Sequence, residues 1–236
     1  MWKYVDDTTI SETVLKDHSR KIQQFVNDLS QQVSADKFQL NEDKCKELRI
    51  SFARSNRDFE PIKVNNKNIA CVNKAKILGV TLTDNLKWNV HVEEVIKKVN
   101  KRLYFLSQLK RAKLKSKELT NFYITCIRSV MEYGCALFHD SLPQYLSDDM
   151  EHCQKRALRI IYPGCSYEEG LEFSGLERLS ERRQNITLKL FKDSCNPGHK
   201  LNLLLPTENI CPYNLRRSRL FTNSKCNTKK NTVQFY

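Results

Sequence analysis

Val90-His91-Val92-Glu93-Glu94-Val95-Ile96-Lys97-Lys98-Val99-Asn100-Lys101-Arg102-Leu103-Tyr104-Phe105-Leu106-Ser107-Gln108-Leu109 sets Val92, Val95, Ile96, Val99, Leu103, Leu106 and Leu109 at three- and four-residue steps. That spacing predicts a strongly amphipathic helix, apolar on one face. The other face is basic. Lys97, Lys98, Lys101, Arg102, Lys110, Arg111, Lys113, Lys115 and Lys117 put nine cations in 21 residues, with the acid Glu118 just beyond. Downstream the pattern stays helical. A second helix is expected from the cap Ser116, carrying Leu119, Phe122, Cys126, Ile127 and Val130. A third is expected from Ser147, with Asp148 and Asp149 at the positive end of its dipole, stopping before Pro163-Gly164. Three such helices joined by short links bury their apolar faces in a small bundle. Past Gly164 one more helix is expected over 177–194, and from Cys195 onward a loosely ordered tail.

Upstream the period changes. Leu15, Ile22, Phe25, Val26, Leu29 and Val33 predict a helix over 11–35 with Ser11 as its N-cap. After Leu40-Asn41-Glu42-Asp43-Lys44 the step becomes two, with Leu48, Ile50 and Phe52 on one side of a strand. Ile62-Lys63-Val64, Asn65-Asn66 and Ile69-Ala70-Cys71 read as a hairpin, and a further strand over 77–82 contains Gly79. The fold class is α+β: short antiparallel strands packed on a helix, then a mostly helical remainder. The expected divisions are 1–88, 89–165 and 166–236.

The 236 residues carry a formal charge of +13, with 40% hydrophobic and 28% charged residues, an ordinary globular mix. The charge is uneven: +3 over 1–88, +5 over 89–165 and +5 over 166–236. A cationic stripe suits a polyphosphate partner, because each neutralised phosphate releases counterions and the affinity is independent of sequence. No apolar run is long enough for a membrane-spanning helix, and charge near the N-terminus replaces the apolar stretch of a signal peptide. An intracellular protein that is not secreted, with no membrane partner, is the expectation. The nine cysteines include no C-x-x-C and read as reduced small hydrophobes. Cys195, His199 and Cys211 are the nearest approach to a zinc cluster, with gaps that fit no usual module.

Tyr4-Val5-Asp6-Asp7 carries the chemistry. An aromatic and a β-branched residue followed by two acids reads as a strand entering a tight turn that exposes carboxylates at its tip. Hard cations want this arrangement. Two Mg²⁺ ions about 3.5–4 Å apart need anionic oxygens to hold them against substrate phosphates.

The order Tyr4-Val5-Asp6-Asp7-Thr8-Thr9, a helix, Leu40-Asn41-Glu42-Asp43-Lys44, Ile77-Leu78-Gly79-Val80 and Leu86-Lys87-Trp88-Asn89-Val90-His91 resembles reverse transcriptases of LINE-type, jockey-like non-LTR retrotransposons. Gln154-Lys155-Arg156-Ala157-Leu158-Arg159-Ile160-Ile161, Leu179-Ser180-Glu181-Arg182-Arg183 and Tyr213-Asn214-Leu215-Arg216 are similar to segments such proteins carry after the polymerase palm. The resemblance implies the C-terminal part of a palm, a helical thumb over 89–165 and a C-terminal extension over 166–236. It implies RNA-directed DNA polymerisation by two-Mg²⁺ nucleotidyl transfer in the intact protein, with an RNA template and a DNA primer as partners and residence in the nucleus.

Carried over residue by residue, Asp6 and Asp7 would be the metal-binding aspartates of the Y-x-D-D turn. Lys44 would lie near the nucleotide phosphates as a general acid for pyrophosphate. Leu78, Gly79 and Val80 resemble the primer grip, where a glycine lets backbone approach the primer closely. Lys97, Lys98, Lys101, Arg102, Lys110, Arg111 and Lys113 would track the duplex phosphates. Trp88 and His91 match a recurrent pair for which packing is the expected role. Only three residues precede Tyr4, so the resemblance also implies a fragment without fingers or the upstream metal-binding aspartate, inactive alone, with an exposed sheet edge and an apolar helix face. The other reading is a non-catalytic basic nucleic-acid-binding module.

Overall fold

The computed structural model describes residues 1–14, 19–52 and 59–206. Among them are eight short strands and eight α-helices, an α+β architecture in two compact units that divide between Lys87 and Trp88.

The first unit is built from paired strands. β1 (Trp2–Tyr4) and β2 (Asp7–Thr9) form an antiparallel hairpin with Tyr4 opposite Asp7. α1 (Ile22–Ala35) begins eleven residues later than the expected cap. Residues 11–14 are not helical, and Leu15 lies outside the described residues. A carboxylate replaces Ser11 as the cap: Glu12 accepts the Lys21 and Ile22 N–H groups at 2.8 and 3.1 Å, satisfying donors that the helix cannot pair internally. β3 is confined to Lys46–Leu48, and Ile50 and Phe52 are exposed outside it. Its middle residue, Glu47, is held between Arg20 and Arg49. Burial pushes the Glu47 carboxyl up, but hydrogen bonds from the two guanidinium groups outweigh it and hold the group below its usual range.

β4 (Lys63–Val64) and β5 (Lys67–Asn68) form the expected hairpin in shortened form. Its Asn65-Asn66 turn has φ of 47° and 64°, the left-handed values that asparagine tolerates. β6 (Ala70–Val72) leaves that hairpin and pairs parallel to β3, so the sheets are not all antiparallel. β7 (Lys74–Ile77) and β8 (Val80–Thr83) are a further hairpin, not the single strand expected over 77–82. Leu78 and Gly79 are its turn, with φ of 46° and 86°. Val26, Ile62 and Val64 are the buried apolar centre of this unit, flanked by Ile10, Ile22, Leu40 and Ile69. Trp2, Tyr4 and Phe25 stay exposed.

The second unit follows the opening helical pattern closely. α2 (Asn89–Arg111) buries Val92, Val95, Val99, Leu103 and Leu106. Each such side chain contributes about 1.5–3 kcal/mol relative to leaving it in water. α3 (Ser116–Phe122) takes Ser116 as its first helical residue, and Glu118 reaches back to accept the Lys115 N–H at 2.9 Å. The chain then widens into a π-helical segment, Tyr123–Arg128, before α4 (Ser129–Glu132) and the short α5 (Cys135–Phe138). α6 (Gln144–Ile161) starts at Gln144, three residues ahead of Ser147, with Pro143 as the residue that caps it. Trp88 and His91 pack with Phe138, their rings 5.6 and 5.2 Å from it, and the Trp88 indole donates to Ser141 Oγ at 2.8 Å.

α7 (Tyr167–Ser174) falls where no helix was expected. Its signal was local: Ser166 Oγ accepts the Glu169 N–H at 3.2 Å while the Glu169 carboxylate accepts the Ser166 N–H at 2.7 Å. α8 (Leu179–Ser194) closes the unit. Leu179 belongs to the same buried core as α2 and α6, so the segment after Gly164 packs with the helices before it. Residues 207–236, with Cys211 and Tyr213-Asn214-Leu215-Arg216, lie outside the described residues. Among the described residues, no helix is long and apolar enough to cross a membrane.

Candidate functional site

The acidic pair sits on the β1–β2 hairpin. Val5 and Asp6 form the two-residue turn and Asp7 opens β2; both acids are exposed. Val5 has φ of 55°, a conformation that a β-branched side chain resists. Two adjacent carboxylates at a hairpin tip can supply part of the oxygen shell of a hard cation, which usually binds one or two carboxylates and completes its shell with water and substrate phosphate. Among the described residues, no group of three or more His, Cys, Asp and Glu side chains comes together to enclose a metal. The donor chemistry fits Mg²⁺; a closed cage is not formed by these residues.

Lys44 lies in the turn that follows Asn41. Its N–H donates to the Asn41 carbonyl and to Asn41 Oδ1, both at 3.2 Å, and its side chain is exposed. The neighbouring acids are engaged by the β4–β5 hairpin: Asp43 accepts from Lys67 and Glu42 from Asn65, both at 2.5 Å. The Asn65 hydrogen bond, more than any other influence, holds the Glu42 carboxyl below its ordinary value. Among the described residues, no ion pair joins Asp6 or Asp7 to Lys44.

Leu78, Gly79 and Val80 occupy a turn and the start of β8, whereas a strand was expected. The physical reason is the need for two consecutive positive φ values in a two-residue hairpin loop, which Gly79 meets freely and Leu78 does not. Leu78→Asn should therefore raise stability by about 0.5–1 kcal/mol, since asparagine tolerates the left-handed region better than a γ-branched residue. Urea denaturation checks this. A lower midpoint would show that the leucine side chain holds the turn in another way.

The seven stripe residues divide into two groups. Lys97, Lys98, Lys101, Arg111 and Lys113 are exposed. Arg102 and Lys110 are half-buried and committed to the fold. Arg102 donates to the Cys126 carbonyl within the π-helical segment, and Lys110 donates to the Ile161 carbonyl at 2.9 Å. Ile161 ends α6, where the last carbonyls are unpaired and a cation complements the helix dipole. Both cations are thus engaged within the helical unit, whereas the sequence reading places them on phosphates. Tyr104 and Phe105 were not singled out, yet both are exposed within the cationic face, with ring centroids 5.9 Å apart. The signal was available: two aromatics where the apolar pattern calls for polar residues.

Residues 88–129 match the family described as the N-terminal part of the alkylated DNA repair protein alkB homolog 8, a span of less than a fifth of the chain. No curated protein and no solved structure matches this sequence.

Proposed function

We propose that this chain is the palm-to-thumb portion of an RNA-directed DNA polymerase of the non-LTR retrotransposon type. Asp6 and Asp7 serve as metal-side carboxylates, Lys44 faces the nucleotide phosphates, and α2 faces an RNA–DNA duplex. One observation carries the reading. The two acids stand at the tip of a tight hairpin whose first turn residue, Val5, is held at a φ that valine avoids, and strain of this kind concentrates where a backbone must present side chains in one orientation. The exposed lysines of α2 support it.

In the intact polymerase, Mg²⁺ would activate the primer hydroxyl and offset charge on the departing pyrophosphate. The chain's own part is to present Asp6 and Asp7 and to hold the duplex. Manganese added to the full chain as a paramagnetic probe should broaden the Asp6 and Asp7 amide signals before those of other exposed acids. The chain should bind an RNA–DNA duplex with an affinity that Asp6→Ala/Asp7→Ala leaves unchanged, and should incorporate no nucleotide alone. Uniform broadening would remove the acidic turn from the reading. Absence of duplex binding at low salt would remove the thumb.

The same α2 surface would serve a non-catalytic nucleic-acid-binding module. That reading is favoured specifically by the lack, among the described residues, of a third acid beside Asp6 and Asp7. Uniform manganese broadening together with duplex binding would select it.

A further inference from the structure

Tyr104 is 62% and Phe105 57% exposed in the middle of a helix whose opposite face is fully packed, so neither ring contributes to the core. Leaving both in water forgoes burial and needs a reason. Their surroundings supply one. Lys97, Lys101, Tyr104, Gln108 and Arg111 follow one another at four- and three-residue steps, forming a single ridge about 21 Å long at the usual helical rise. Phe105 stands beside that ridge, four residues after Lys101. No acid occurs between Glu94 and Glu118, so a polyanion meets no opposing charge along it. The two rings are inclined at 68° with centroids 5.9 Å apart, an edge contact that leaves ring face open.

From this placement we infer that Tyr104 and Phe105 are a stacking platform for unpaired bases of a single-stranded nucleic acid whose phosphates lie along Lys97, Lys101 and Arg111. The inference rests on the reading of α2 as a nucleic-acid-binding face and names what that face prefers. Cations alone do not discriminate single strands from duplexes, because both present phosphates. Exposed rings do. A duplex keeps its bases stacked on one another, and opening a step is costly. A single strand offers free π-faces, and stacking on an aromatic side chain tolerates any base. The platform therefore suits the strand that enters or leaves a copied duplex.

The test uses the full chain and fluorescein-labelled probes: oligo(dT), oligo(rU) and an RNA–DNA duplex of equal length, with binding read by anisotropy. Tyr104→Ala/Phe105→Ala should weaken binding to both single strands at least tenfold and change duplex binding less than twofold. Tyr104→Phe/Phe105→Tyr, which keeps two rings, should restore wild-type affinity. Phe173→Ala, an exposed aromatic on α7, should have no effect. Lys97→Gln/Lys101→Gln should weaken all probes alike. Equal losses on single strands and duplex, or no loss from removing the rings, overturns the platform while the basic face stands. If the wild-type chain binds none of the probes at low salt, the underlying reading and the platform fail together. Preference for oligo(rU) or oligo(dT) tells which strand the platform serves.

Discussion

Glu151→Ala should lower the stability of the helical unit by about 3 kcal/mol or more. Glu151 lies on α6, nearly buried, and its carboxylate accepts three hydrogen bonds from groups that have left water. The Tyr167 hydroxyl donates to Oε1, the Leu179 N–H to Oε1 at 3.2 Å and the Ser180 N–H to Oε2 at 3.0 Å. The last two are first-turn donors of α8, so one side chain ties α7 and the start of α8 to α6. Gln154, one turn on, extends the network by accepting from the Tyr123 hydroxyl and donating to Tyr167 Oη at 2.9 Å and the Glu177 carbonyl at 3.0 Å.

Burial first, and then the bond to Glu151, push the Tyr167 hydroxyl well above its ordinary pKa, so it stays a donor throughout the working pH range. Alanine at 151 strands all three donors. It also removes the negative charge that does most to offset the buried Arg183 guanidinium, which burial already pulls below its usual value. Thermal unfolding followed by circular dichroism should show a fall of about 10 °C. Glu151→Gln keeps an acceptor and the side-chain shape and should lose less than half as much. Glu172→Ala, on the exposed side of α7, should be neutral. A loss below about 1 kcal/mol for Glu151→Ala would mean that α8 is held by its other contacts, the buried Leu179 and the bonds of Arg183 to Ser147 and Arg182 to Glu132.

None of that network stood out in the sequence, and the reason is physical. Glu151 sits within the acidic start of the α6 pattern, where Asp148 and Asp149 are ordinary dipole partners, and nothing local shows that a helix beginning 28 residues later will lean on it. Patterns contained within one element were readable. The α2 face and the Asn65-Asn66 turn follow from spacing and from a residue's own φ preference. Ser166 and Glu169 formed an equally local signal, and α7 was open to the same reading. Partners distant in sequence were not readable. The cap on α1 comes from Glu12, ten residues before Ile22, and the partner of β3 is β6, 24 residues on and parallel. Within the candidate site, the acidic turn is local and was legible. The division of the stripe depends on the Cys126 and Ile161 carbonyls, which only the packed helices bring to Arg102 and Lys110.

That division gives the second large prediction. If Lys97, Lys98, Lys101, Arg111 and Lys113 each neutralise a phosphate, the logarithm of duplex affinity should fall with the logarithm of salt at a slope of about −4 to −5, equivalent to roughly 10²–10³-fold between about 50 and 200 mM. Lys97→Gln/Lys98→Gln/Lys101→Gln should reduce the slope by between two and three, at about 0.9 per phosphate, with the melting temperature kept. Glutamine serves here because its helix propensity matches that of lysine and the sites are exposed. Arg102→Gln and Lys110→Gln should do the reverse, leaving the slope unchanged while stability falls by about 1–3 kcal/mol, because a carbonyl loses its charged donor. The two sets of variants carry the same kind of charge change on the same helix. A general effect of net charge would move both slopes together, whereas a phosphate-facing surface moves only the first. Equal slopes for all the variants would show that the +13 charge acts as a diffuse field, and α2 would lose its claim to be the face that meets the nucleic acid.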